Sequence, residues 1–381
     1  MGVAHFLAGL ILGCVSGLLP GLHSNTIISV VSSLGIDESA LALVIIALLP
    51  AHLIVSFIPA IFFGIPEPGT VVAAMPGQRM VLRGMGILAL KTVLFSCAIS
   101  ALVSVALFSA SLELFPLVYG VLRERMGLAL LIISAVLVLR SRSVFPAMCI
   151  FLLSGLLGQF SLNSGMQDPF LPMFSGMFAM AAMLSYRRGK VPEQAELEPG
   201  GGFAVYVLAG VGLGFAADLI PGVGSPAQVA AFASIFMPMN SLGYLACVSA
   251  VSVSEAVFSL ATAASIGKSR MGATAWLAGN IDIRGNLPML VAGFLASAAI
   301  AALMVYAARR KIAALASVDF SGMNIVLAFY LLAITFVIDG WLGIVVLGLG
   351  SALGFLCIKS GVERINLMGS IILPTLAYFL I

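Results

Sequence analysis

The chain has 381 residues, 61% of them hydrophobic and only 9% charged, with a formal net charge of +3. Soluble domains run near a quarter charged, so this chain has too few Lys, Arg, Asp and Glu to cover a water-facing surface, which excludes a soluble enzyme. A mean hydropathy of +1.18 makes lipid its natural solvent.

A bilayer core of about 30 Å takes about 20 apolar residues as a helix, and roughly ten such stretches follow one another between short polar breaks. The apolar runs are continuous, whereas a barrel needs a period of two, so the expected fold class is an all-α polytopic membrane protein. In chain order the first half reads as a span at 3–19, a short helix at 25–34, a span at 39–63, a loop to about 83, a span at 84–110, and apolar runs near 112–122, 126–139, 144–160 and 168–184. The second half reads as 203–219, a short helix at 226–236, then 241–265, 286–308, 322–338, 340–358 and 366–381. The opening MGVAHFLAGLILGC resembles a lipoprotein cleavage box without a basic n-region, and is read as the first membrane helix. The cysteines Cys14, Cys97, Cys149, Cys247 and Cys357 lie far apart inside apolar runs with no Cys-x-x-Cys spacing, as buried thiols do.

Sliding the sequence by 201 positions superposes GLILGCVSGLLPGLHSN on GVGLGFAADLIPGVGSP without a gap, and the register holds to Arg83-Gly84 against Arg284-Gly285. Two repeats therefore fill the chain, 1–184 and 203–381, joined by a polar loop at 185–202. Arg309, Arg310 and Lys311 fall on Phe108, Ser109 and Ala110, while Arg140 and Arg142 fall on Trp341 and Gly343. One copy is basic where the other is bare, which favours inverted repeats because cytoplasmic loops carry the Lys and Arg excess.

In SGLLPGLHSNTI and AADLIPGVGSPAQ, proline removes a backbone donor and glycine readily takes φ > 0, so the first long helix of each repeat should stop there. Ser225-Pro226 has the order of an N-cap and first helical residue, and Ser24-Asn25 holds the matching place. A helix over 25–34 would be about 15 Å long, half a membrane, which makes each copy a re-entrant or discontinuous hairpin. Such breaks point to a transport site, and the free N–H groups of the starting helices would face a bound anion. The candidate substrate-binding residues are thus Pro20, Gly21, His23, Ser24 and Asn25 in the first copy and Pro221, Gly222, Gly224 and Ser225 in the second. Arg83 and Arg284 join them because the same Arg-Gly recurs in both halves and guanidinium suits a carboxylate or phosphate, although a membrane-surface anchor weighs equally.

Gly9, Gly13, Gly17 and Gly21 form a packing stripe in which the second copy has Asp218 where Gly17 stands. Asp218 and Glu255 are candidate coupling residues, since a carboxylate deep in an apolar run is costly unless it binds something. His52 and Lys91 read as structural or snorkelling, and Glu67, Arg79 and Lys268 as gating or surface charges. No His-Glu-x-x-His, Gly-x-Ser-x-Gly or catalytic aspartate pair occurs, so an enzyme is not expected.

GLLPGLHSNT, the following PEPGTVVAAMPGQRMVLRG and the repeat at DLIPGVGSP resemble the TctA-type permeases, the large membrane subunit of tripartite tricarboxylate transporters, especially their shorter archaeal-type relatives. The resemblance implies a secondary transporter moving a carboxylate-class organic anion by alternating access, coupled to Na⁺ or H⁺, with Pro20-Gly21 and Pro221-Gly222 lining the path. It also implies a small membrane subunit and an extracytoplasmic binding protein as partners. The shorter length, and His23-Ser24-Asn25 where a small-residue turn is the family's pattern, leave those partners and the tricarboxylate open. A related Pro-Gly-x-Ser turn occurs in transporters of polyprenyl-phosphate carriers, so a lipid-phosphate translocase is the alternative. The expected setting is the cell (cytoplasmic) membrane, with membrane lipids, an organic anion or lipid phosphate, and a homodimer left open as partners. Neither nucleic acid nor a cofactor beyond the coupling ion is expected.

Overall fold

The computed structural model describes residues 2–65, 70–186, 191–219, 240–269, 271–317 and 321–380, and every regular element among them is helical. Among the described residues, six helical segments are long and apolar enough to cross a membrane: Glu38–Phe63, Gly86–Ala106, Val144–Leu162, Ser241–Ile266, Ile283–Leu315 and Gly322–Lys359. In chain order the helices are α1 (Gly2–Leu18), α2 (Ser24–Ser32), α3 (Glu38–Val55, extended by a wide π turn at Pro59–Phe63), α4 (Val71–Val81), α5 (Gly86–Ala106), α6 (Phe108–Leu122), α7 (Met126–Leu139), α8 (Val144–Leu162) and α9 (Phe170–Leu184). There follow α10 (Ala204–Ala217), α11 (Ser241–Ile266), α12 (Gly272–Asn280), α13 (Ile283–Leu315), α14 (Ser321–Lys359) and α15 (Gly369–Leu380). At 1.5 Å per residue the 39 residues of α14 would reach about 58 Å, twice a bilayer core. Gly340, at φ 63° and ψ −152°, breaks it into two halves of crossing length.

Two readings are corrected. The loop expected up to residue 83 contains α4, with Pro76-Gly77 inside the helix. A Cβ on Gly77 would lie 3.0 Å from the Ile61 backbone, so close packing on the π turn holds that segment helical where its composition argued for a loop. The N-cap of the short second helix is His23, one residue before Ser24. His23 is extended (φ −70°, ψ 149°), and its Nδ1 accepts from the Asn25 N–H, taking the role a serine hydroxyl was expected to play.

Elements of one kind recur at the 201-residue offset. α1, α3 and α4 fall on α10, α11 and α12, and α5 falls within α13. The counterparts α3 and α11 are the central helices, each almost wholly buried. α1 lies on α3 because glycines let the backbones approach: a Cβ on Gly9 would fall 2.1 Å from the Val44 carbonyl oxygen, and one on Gly13 2.4 Å from that of Leu48. α10 lies on α11 the same way, through Gly210 and Gly214. The next helices cross over: α5 packs on α11 and α13 on α3. The Ser100 hydroxyl donates to the Ala250 carbonyl at 2.7 Å across the first contact, and Ser297 to that of Ala47 at 2.5 Å across the second.

The inter-repeat loop is strapped to this bundle. Lys91, fully buried in α5, pairs with Glu196 at 2.5 Å and Glu198 at 2.6 Å, so its charge is neutralised by the loop. Arg309 and Arg310 at the far end of α13 donate to the same Glu196 carboxylate, each at 2.8 Å. Gln194 accepts from the Gly86 N–H at 2.7 Å and donates to the Val81 carbonyl at 3.0 Å. Lys91→Met should therefore loosen the loop, read as several-fold faster cleavage by a Glu-specific protease within residues 193–198, with the transmembrane core intact.

Lys91 first, then Arg310 and Arg309, hold the Glu196 carboxyl down to about 2 from its ordinary 4.5. A carboxylate whose folded value is depressed contributes stability above its unfolded value and loses it as the pH falls through the folded one. The strap should hold at and above pH 4.5 and release as the pH approaches 2, which pepsin cleavage of the loop across that range would register.

Candidate functional site at the first helix break

α1 ends at Leu18, and the chain turns at Pro20-Gly21 with Gly21 at φ +85°, the left-handed region that glycine alone adopts freely. α2 then runs for nine residues, about 14 Å, so the helix stops and restarts within the thickness of the bundle. The helix break and the short helix read from the first Pro-Gly are observed there. The second copy, Pro221, Gly222, Gly224 and Ser225, lies outside the described residues, as does Glu67.

Two further interruptions of the chain converge on this turn. The Ser175 hydroxyl, at the start of a π turn within α9, donates to the Gly21 carbonyl at 3.2 Å. Thr26 in α2 donates to the carboxylate of Asp168, which also accepts from the Leu171 N–H at 3.2 Å in the first turn of α9. The Asp168 N–H in turn donates to Asp339 at 2.9 Å, immediately before the break of α14 at Gly340. α12 also reaches the turn, since a Cβ on Gly272 would lie 2.4 Å from the Asn25 side-chain oxygen. Beneath it, buried His52 is bonded to Ser16 (2.9 Å) and stands edge-on to His23, with ring centroids 5.8 Å apart. The turn thus sits where elements of both halves meet.

Asp168 and Asp339 are functional candidates that sequence reading missed. Asp168 precedes a proline at a helix start, and Asp339 precedes a glycine between two apolar runs, which are the signals that could have marked them.

A second polar group lies around α11. Asp218 is the C-terminal cap of α10, 1% exposed, and accepts from the Thr262 hydroxyl. Glu255 is equally buried, in the middle of α11. Arg83 is exposed on the turn after α4, and Arg284, also exposed, donates through Nε to the Ala264 carbonyl at 2.6 Å near the end of α11. Arg79 is exposed, and Lys268 sits over the Tyr119 ring at 5.3 Å.

Long apolar helices around a buried core, with a helix interrupted and restarted inside it, define a polytopic membrane protein of the transporter class. The chain belongs to the tripartite tricarboxylate transporter TctA family, whose family model matches residues 3–369. It is also 25% identical over 406 aligned positions to an uncharacterized protein of Methanocaldococcus jannaschii, MJ1079, covering 100% of this chain and 99% of that one. No solved structure matches. The family is one of transporters whose large membrane subunit works with a small membrane subunit and a periplasmic binding protein.

Proposed function

We propose that this chain is the permease of an ion-coupled transporter that moves an organic carboxylate by alternating access through the cell membrane. One observation carries the reading: the breaks at Pro20-Gly21, Ser175–Met180 and Gly340 meet beside the N-terminus of α2. Backbone interruptions inside a membrane bundle are tolerated where they line a cavity, and a helix start favours negative charge. Asp168 and Asp339 at the same place would repel an anion travelling alone, so co-transport of a cation fits the site electrostatically.

Alternating access needs two halves that rock against each other, and opposed orientation of the repeats suits that motion. Glu196 supports the inversion. It ties the start of α5, through Lys91, to the end of α13, through Arg309 and Arg310, although α5 and the matching part of α13 are equivalent at the 201-residue offset. Equivalent helices meeting one carboxylate by opposite ends is the arrangement that inverted repeats would produce. The small membrane subunit and binding protein of the family are the partners this reading assigns.

A thermal-shift screen of the purified chain should show stabilisation by di- or tricarboxylates, stronger with Na⁺ or at acid pH, and uptake of the same anion into proteoliposomes. Stabilisation by polyprenyl phosphates alone would instead establish the lipid-phosphate translocase.

A further inference from the structure

The buried helix α11 is polar along one line. Glu255, Ser259 and Thr262 stand at i, i+4 and i+7 and so share a face, while Asp218 from α10 bonds to Thr262 and Thr274 from α12 lies 2.7 Å from the Ser259 hydroxyl. Glu255 is 1% exposed, and neither of its carboxyl oxygens has a hydrogen-bond partner among the described residues. Asp218 joins the same polar line through its bond to Thr262, seven residues along α11 from Glu255. A buried carboxylate with no donor turned to it among the described residues is strongly unfavourable as it stands.

Packing does not explain these residues. The positions 201 earlier are Gly17, Ile54, Ile58, Ile61 and Ala73, where the first repeat builds the same hairpin from apolar side chains. The hydroxyls direct their protons away from Glu255. Thr262 donates to Asp218 or to the Phe258 carbonyl, and Thr274 reaches the Met271 carbonyl at 3.0 Å. Oxygen lone pairs are left for an electropositive occupant. A proton would need a single carboxyl group, whereas several hard oxygen donors on one face suit a small hard cation.

We infer that the second repeat alone holds a desolvated Na⁺, bound between Glu255 and Asp218 with the Ser259 and Thr262 hydroxyls as further ligands. The assignment rests on the ion-coupled transport reading and names its ion and its place. Copy one supplies the turn at which the anion is placed, and copy two supplies the cation.

The test is binding of radioactive sodium to the full-length protein in detergent at pH 8, without any anion, together with titration of tryptophan fluorescence, since Trp276 lies on the same short helix as Thr274. Saturable binding of Na⁺ is expected, uncompeted by choline and weakened by about tenfold or more in Glu255→Gln and in the double variant Ser259→Ala, Thr262→Ala. Absence of saturable Na⁺ binding by the folded wild type, or unchanged affinity in the variants, would overturn the assignment. Should Glu255→Gln fail to fold, the double hydroxyl variant, which removes no charge, decides. Because no anion is present, the two readings fail separately: Na⁺ bound without any carboxylate transport counts against the transport reading, and carboxylate uptake without Na⁺ binding against this site.

Discussion

Gly21→Ala, and more severely replacement of Pro20-Gly21 by Ala-Ala, should abolish uptake while leaving the protein in the membrane. Two effects act together. At φ +85° an L-residue costs of order 1–2 kcal/mol, and the added Cβ would lie 2.6 Å from Leu331 and 2.7 Å from the Ser175 hydroxyl. The turn must then shift, taking with it the first residues of α2 and the Thr26–Asp168–Asp339 chain that joins α2 to α9 and α14. With both helix-breaking residues gone, α1 is free to run on into α2, and the amides at the start of α2 become ordinary intrahelical donors. Every 1.4 kcal/mol is about tenfold in an equilibrium, so the combined strain should lower uptake by more than about tenfold even in the single variant. Proteoliposome uptake measured with membrane-insertion controls checks this, and wild-type uptake by the Ala-Ala variant would remove the turn from the mechanism.

Gly13→Leu should leave little folded protein. The collision is at the Cβ itself, 2.4 Å from the Leu48 carbonyl oxygen and 2.8 Å from Ala51, so no rotamer escapes it and α1 must separate from α3. Overpacking of this kind costs about 1–3 kcal/mol or more, and the hairpin it splits holds one of the two central helices. Gly9→Leu and Gly210→Leu should behave alike, since Gly9 faces the Val44 carbonyl and Gly210 that of Cys247. Gly212→Ala is the control: that glycine has nothing within 4 Å of an added Cβ, and alanine favours the helix. Melting temperatures of the detergent-solubilised variants should fall for the first three and hold or rise for the last.

Much of the candidate site was legible because it is written locally. Pro20-Gly21 announces a break through the missing proline N–H and the positive φ open to glycine, and an observed turn stands there. The same dipeptide at Pro76-Gly77 lies inside a helix, because what surrounds a Pro-Gly decides its outcome: Gly77 is pressed against Ile61, whereas Gly21 is held by Ser175 and Leu331. Lys91 reads from sequence as structural or snorkelling. The structure makes it a fully buried cation paired with two partly exposed carboxylates more than a hundred residues away in the loop.

By itself the sequence determined a helical membrane protein, the family, the 201-residue recurrence and the place of the first break, since each depends on composition or on neighbours a few residues apart. Only the tertiary structure decided that α3 and α11 lie at the centre, that α5 and α13 exchange partners across the halves, and that Asp168 and Asp339 arrive at the turn. Those contacts join residues 142 and 171 positions apart, and over such separations side-chain packing and the pairing of buried polar groups set who meets whom.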